Sequence, residues 1–260
     1  MKKIEDILNS FSVINLTETE GTQLMDRKDT KFTFNTDLLP EILKEIRSNY
    51  HCLQIETKKR GNYQNLYYDT ADLKLYTQHH NGKLNRYKIR HRTYVDTNEG
   101  YLEIKFKNNK GRTLKKRMPG KIPEAAFENE AHNFLAGELP FDPILLKPIV
   151  TVNYSRITLI NKTSPERLTI DLNIQFKKGN DTVNLDKLVI AEVKQERTGP
   201  SQFLNLMRKL HIREVSVSKY CFAVVFTCKG VKKNNFKEKL LALRPVINYD
   251  TITNICRSNS

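Results

Sequence analysis

Apolar residues recur along this chain with two periods, and the change from one to the other marks where helices give way to strands. Ile4, Ile7, Leu8 and Phe11 fall at helical spacing and predict a helix over 3–11. A second helix is expected through "DLLPEILKEIRS", with Thr36 as its N-cap and Pro40 in its first turn. Between them "MDRKDTKFTF" alternates as a strand does. "YQNLYYDT" reads as another strand, and "ADLKLYTQHH" as a short helix broken at Asn81-Gly82. Six further strands follow: "NRYKIRHRTY", "GYLEIKFKN", "RTLKKRM", "KPIVTVNYSRITLI", "ERLTIDLNIQFKK" and "KLVIAEVKQE". Gly, Asn, Asp or Pro clusters separate them, as antiparallel connections require. Helical patterns interrupt at 123–136 and 200–210. The tail from "KGVKKNNFKEKLLALRPV" reads as a short basic amphipathic segment, expected to fray and otherwise to dock.

About eight strands with few helices predict an antiparallel barrel or sandwich. The strands are two-faced. Leu102, Ile104 and Phe106 oppose Glu103, Lys105 and Lys107; Leu168, Ile170, Leu172, Ile174 and Phe176 oppose Arg167, Thr169, Asp171, Asn173 and Gln175. A polar face ordinarily meets water. Taken together, however, these faces are rich in one sign of charge, with Arg86, Lys88, Arg90 and Arg92 at alternate positions of a single strand. Were they to turn inward, with the apolar faces packed on surrounding helices, the sheet would enclose a cationic channel. A polyphosphate inside would offset the repulsion.

Composition sharpens this picture. The 260 residues carry 44 Lys and Arg against 29 Asp and Glu, a formal net charge of +15, while 38% hydrophobic residues suffice for a core. Such a charge attracts a polyanion: nucleic acid, anionic membrane or a phosphate polymer. Interior cations disfavour duplex nucleic acid, which needs an open groove-facing patch, so no nucleic-acid partner is expected. No window reaches the length of a membrane span and no signal-like run opens the chain, so a cytoplasmic protein is expected. Cys52, Cys221, Cys228 and Cys256 lie far apart without a C-x-x-C pair and read as reduced thiols. No long flexible linker divides the chain, which favours one domain.

The motifs "DRKDTKF", "LYYDTADLKLY", "NGKLNRYKIRHRTY", "YLEIKFKNNKGRTLKKR", "VNYSRI", "ERLTIDLNI", "LVIAEVKQ" and "VSKY" occur in the order found in the VTC (vacuolar transporter chaperone) polyphosphate polymerase domain, a branch of the triphosphate tunnel metalloenzymes. The chain resembles that family from about residue 25 to 225. The resemblance implies an α+β fold: an eight-stranded antiparallel tunnel with a basic interior, flanked by helices. An N-terminal helical segment (1–24) would precede a tunnel domain (25–228), and a basic helix and tail (229–260) would follow it. The implied activity extends inorganic polyphosphate with the γ-phosphoryl of ATP, aided by Mn2+ or Mg2+. Lys31 resembles the first tunnel lysine, Arg90 and Arg92 the paired arginines, and Lys105 with Lys115 or Lys116 the next lysines. Tyr154 and Arg156 match the "Y-x-R" motif, Arg167 the arginine after it, Glu192 the metal-binding glutamate and Lys219 the last lysine. Arg86, Lys88, Lys194 and Ser218 are expected to contact substrate beside them. The stretch "DRKDTKF" departs from the E-x-E-x-K of the hydrolase branches, and Ser216 stands where eukaryotic members often carry a lysine. No SPX-like or membrane-spanning segment is evident, so export would need a separate membrane-protein partner. Oligomeric state is not legible.

The chemistry asks little covalent help from the protein, because an attacking terminal phosphate is already anionic. It asks for charge neutralisation and alignment. Arginine forks and lysine point charges supply both. One or two carboxylates hold a divalent ion that keeps waters and takes other ligands from substrate. Glu192 is the first candidate; Glu103 and Asp171 are supporting candidates that read better as salt-bridge partners. Tyr67, Tyr68 and Tyr87 read as core, His79 and His80 as turn residues, and Asn109 to Gly111 as a hairpin turn leading to Lys115. The same cations would suit a phosphohydrolase of tripolyphosphate or nucleoside triphosphate, or a non-catalytic polyanion-binding module.

Overall fold

A computed structural model describes residues 2–19, 27–120, 123–196, 199–244 and 246–247. Alternation of the kind seen in "YLEIKFK" produces strands that join one sheet: β1 (Val13–Asn15), β2 (Arg27–Asn35), β3 (Tyr50–Gln54), β4 (Arg60–Thr70), β5 (Arg86–Tyr94), β6 (Glu99–Lys107), β7 (Thr113–Pro119), β8 (Leu146–Asn161), β9 (Glu166–Lys178), β10 (Asp181–Leu185) and β11 (Leu188–Glu196). Eight of them follow the path β2-β11-β9-β8-β4-β5-β6-β7, and every pair on it is antiparallel. The other three are accessories: β10 extends β9, and the parallel pair β1 and β3 is attached through β3 to β8. The accessory strands carry no long alternation, which is why the sequence pattern did not separate them from loops.

The helices are α1 (Lys2–Asn9), α2 (Leu39–Ile46), α3 (Lys74–His80), α4 (Asn129–Ala136), α5 (Gln202–Lys209), α6 (Lys219–Thr227) and α7 (Lys237–Leu241). They cover the apolar face of the sheet. Ile4, Leu8, Ile42 and Leu43 from α1 and α2, with Phe203 and Met207 from α5, pack on Leu168, Ile170 and Leu172 of β9. Helix α6 packs on Val152 of β8 and Ile174 and Phe176 of β9, and α4 lies over Ile89, Leu102 and Ile104. Burying a leucine- or phenylalanine-sized side chain is worth about 1.5–3 kcal/mol, so these contacts favour turning the apolar faces outward to the helices and the charged faces inward.

Local details differ from expectation for identifiable reasons. Asn35, not Thr36, caps the turn before α2: its side chain accepts from the Asp37 amide at 2.9 Å. Only 129–136 of the segment 123–136 is helical. Upstream of it Phe127 packs on the Tyr68 ring, with centroids 4.7 Å apart, and the Tyr68 hydroxyl donates to the Glu124 carbonyl. His79 and His80 form the last turn of α3, not a free turn; His80 is buried and meets the Phe236 ring edge-on. The tail does not fray over its described part. Phe236, Leu240, Leu243, Val246 and Ile247 are buried in the cluster under α6. Cys52, Cys221 and Cys228 are free and buried, while Cys256 lies outside the described residues.

Candidate functional site

Cross-strand pairing decides which charges meet. In an antiparallel ladder directly opposed residues share a face. Lys88 opposes Lys105, Arg90 opposes Glu103 and Arg92 opposes Tyr101 between β5 and β6; Glu103 and Lys105 in turn oppose Arg117 and Lys115 of β7. On the other wall Lys31 opposes Glu192 and Asp29 opposes Lys194, while Arg167 opposes Lys194 and Arg156 opposes Asp171. The two walls then curl toward each other around the start of α6. Lys31 Nζ reaches the Val217 carbonyl at 3.4 Å, Lys88 Nζ donates to Ser218 Oγ at 3.0 Å, and Lys219 pairs with Asp171. Three consecutive residues thus tie β2, β5 and β9 around one basic lumen. Among the described residues no backbone ladder joins β2 to β7, so these side-chain contacts close what the hydrogen-bonded sheet leaves open.

Two carboxylates organise the arginines. Glu103 is 2% exposed; Arg90 holds its Oε2 through Nε at 2.7 Å and Nη2 at 2.6 Å, Lys115 holds Oε1 at 2.5 Å, and Arg92 stands 3.8 Å away. Burial alone would raise the Glu103 pKa, but the charges of Arg90, Arg92 and Lys115 bring it down to about 2. Asp171, also 2% exposed, accepts a two-pronged contact from Arg156 at 2.6 and 2.9 Å as well as the Lys219 ammonium. These cations overcome its desolvation and hold its carboxyl below the usual range. Glu192 is engaged more loosely, at 3.7 Å from Lys31 and 3.6 Å from Lys194. Against the effect of burial, Lys31 and Lys194 bring its pKa to about 2.

The lysines on the β5–β6 side have no such partner at contact distance. Lys105 is exposed, yet the protein packed around it, then the charges of Lys88 and Lys31, lower its pKa to about 7. Burial likewise brings Lys88 to about 8, with Lys31, Arg86 and Arg90 adding repulsion. Ammonium groups without a carboxylate partner beside carboxylate-clamped arginines are a setting suited to a multivalent anion.

Aromatic and amide groups complete the walls. Tyr63 stacks on Tyr154 at 5.3 Å and lies under the guanidinium groups of both Arg92 and Arg156, at 5.7 and 5.4 Å. Tyr154 also faces the Lys219 ammonium at 4.8 Å. The buried Asn65 accepts from Arg92 Nε at 3.2 Å, and the Tyr67 hydroxyl accepts from Arg90 at 3.2 Å. Tyr63, Asn65 and Asp29 are not legible as site residues in the sequence, and Tyr67 reads there as core. Their alternate spacing on β4 and β2 is visible, but only the ladders to β5, β8 and β11 place them beside the cations. Tyr67 is therefore buried, as expected of core, and still touches the lumen.

The structure brings Lys31, Lys88, Arg90, Arg92, Lys105, Lys115, Tyr154, Arg156, Lys194, Ser218, Lys219 and the three carboxylates onto this surface. Arg167 lies on the Asp171 face of β9, opposite Lys194. Arg86 sits at the rim, donating to the Lys83 carbonyl at 2.8 Å. Lys116 is the correction. It opposes Ile104, points to the outside, and pairs with Glu138 at 2.5 Å, because a period of two sends neighbours on a strand to opposite faces. Glu103 and Asp171, supporting metal candidates that read better as salt-bridge partners, stand in salt bridges with Arg90 and Arg156. Among the described residues no group of three Asp, Glu, His or Cys side chains converges, and Glu103 and Asp171 are already clamped by cations. Glu192 fits a divalent ion best, since its contacts are long and replaceable.

Fold and site together define a basic β tunnel for a polyanion. The family model described as the VTC domain matches residues 26–227, and the chain belongs to that family. Its membership supports a polyphosphate-related role for the tunnel. Among solved structures the chain is similar to a candidate adenylyl cyclase from Hippeastrum, reported to have a dominant triphosphatase activity, with 15% identity, 77% of this chain and 94% of that one covered, and a TM-score of 0.48. It is similar to a candidate adenylate cyclase from Bacillus halodurans at 14% identity, 75% and 96% coverage and a TM-score of 0.43. No curated protein matches the sequence. Among the described residues no helix is long and apolar enough to cross a membrane.

Proposed function

We propose that this protein is a polyphosphate polymerase, transferring the γ-phosphoryl group of ATP to the end of an inorganic polyphosphate chain inside the tunnel. The observation that carries the reading is the convergence of Lys31, Lys88, Arg90, Arg92, Lys105, Arg156 and Lys219 from separate elements on one lumen. In the reaction an anionic oxygen of the chain's terminal phosphate forms a bond to the γ-phosphorus. The bond from that phosphorus to the β,γ-bridging oxygen breaks, and ADP leaves with the electron pair. No general base is needed at the attacking oxygen.

The protein's part is positional and electrostatic. Arg90, Arg92 and Arg156 present guanidinium forks whose orientation is set in advance by Glu103, Asp171 and Asn65. Lys31, Lys88, Lys105, Lys115 and Lys219 supply point charges along the path of the chain. Glu192 would hold Mg2+ or Mn2+, with other ligands from phosphate oxygens and water. Bound there, such an ion neutralises charge on the transferring and leaving phosphates. Arg167 and Lys194 extend the basic wall beyond Asp171.

Incubating the purified protein with ATP and Mn2+, and resolving products by gel and phosphorus NMR, tests the reading. A ladder of phosphate chains with stoichiometric ADP is expected. Orthophosphate alone would make it a tunnel phosphohydrolase, and unchanged ATP with retained polyphosphate binding would make it a non-catalytic module. Glu192→Gln should abolish metal-dependent turnover while sparing polyphosphate binding.

A further inference from the structure

A second cavity, of about 650 Å3, lies on the far side of β2 from the tunnel. Alternation along β2 turns Asp29 and Lys31 to the lumen and Lys28, Thr30 and Phe32 the other way, against α5 and the segment after it. Phe32, Leu204 and Ile212 supply apolar lining, whereas Lys28, Arg208 and Arg213 bring cationic side chains. Compensation is sparse. Among the described residues Glu214 stands 4.0 Å from Lys28, Arg208 bonds only the Asn205 amide oxygen of its own helix, and Arg213 has no carboxylate partner. Thr30 lies in the floor of the cavity but is only 3% exposed, with its hydroxyl sealed from solvent.

We infer that this cavity binds a small organic phosphate: an aromatic body against Phe32, Leu204 and Ile212, with a dianionic head between Arg208, Arg213 and Lys28. Its volume falls in the range of sites for ligands of mononucleotide size. A phosphate fits better than a carboxylate, because three cations set against one glutamate can match two negative charges. The site is joined to the tunnel by covalent neighbours. Arg213 and Glu214 on its wall lead directly to Val215, whose amide donates to the Lys31 carbonyl at 2.8 Å, then to Val217, Ser218 and Lys219 in the lumen. Occupancy of the cavity therefore changes the affinity of the tunnel for polyphosphate; this half of the inference rests on the reading of the tunnel given above.

AMP and 1-naphthyl phosphate serve as probes, titrated by calorimetry into the full chain already saturated with tripolyphosphate so that the lumen is filled. One-to-one binding of at least one probe is expected, at least tenfold tighter than adenosine or inorganic phosphate alone. Arg208→Glu with Arg213→Glu should weaken it at least tenfold. Absence of saturable binding for both probes, full displacement by tripolyphosphate, or indifference to the double variant would each overturn the site. Tripolyphosphate affinity is measured first without probe, so a failure of the tunnel reading is seen separately. If it binds, a Kd unchanged by saturating probe would overturn the coupling.

Discussion

Replacing Asp171 with Asn should make the ligand-free protein weaker and its polyphosphate complex relatively stronger. The carboxylate is 2% exposed and is shared by Arg156, through contacts at 2.6 and 2.9 Å, and by Lys219. Removing its charge leaves two enclosed cations facing a neutral amide. Breaking a buried pair of this kind costs about 3–5 kcal/mol. At about 2–4 °C per kcal/mol for a chain of this size, the melting temperature should fall by roughly 6–20 °C. Tripolyphosphate supplies the missing negative charge, so it should bind the variant more tightly, by on the order of tenfold if one charge-assisted hydrogen bond of about 1.5 kcal/mol is released to the ligand. Thermal shift with and without tripolyphosphate, in Mg2+-free buffer, reads both effects. The exposed Asp142, 3.6 Å from His132, is the control, and Asp142→Asn should change neither quantity much. An Asp171→Asn protein as stable as the parent, or one with reduced affinity for tripolyphosphate, would refute the idea that this carboxylate holds the place of a phosphate.

Two further outcomes follow from the same geometry. Lys105 and Lys88, brought to about 7 and about 8, are less protonated at alkaline pH in the free fold than in the unfolded chain, so they favour stability as pH rises from about 7 toward the ordinary lysine value; the penalty of charging them is complete below about 7. A bound polyanion restores their protons, so affinity should fall by up to tenfold per pH unit per lysine between pH 7 and 9. Lys105→Arg should flatten that slope, and an identical slope in calorimetric titrations would exclude Lys105 from the binding surface. Lys115→Ala should weaken tripolyphosphate binding several-fold whereas Lys116→Ala leaves it unchanged, because only the first reaches Glu103 in the lumen while the second pairs with Glu138 outside; equal effects in a binding assay would contradict the register of β6 and β7.

The strands, their two faces and the crowding of Arg86, Lys88, Arg90 and Arg92 were legible in the sequence, because side-chain direction on a strand follows from a period of two and needs no partner. So were α1 and α5, whose apolar stripes are one-sided. Helix α6 was not: "KYCFAVVFT" is apolar on all faces between its polar ends, is buried at six of its nine positions, and shows neither period. The packed tail was missed because its apolar residues find their partners only under α6. Whether the basic faces meet water or one another, which of Lys115 and Lys116 faces in, and which carboxylates are clamped were decided by tertiary structure alone. Those outcomes depend on ladders between distant segments and on the segment 217–219 pinning three strands, and a Coulomb interaction is set by separation in space, which the order of residues along a chain does not contain.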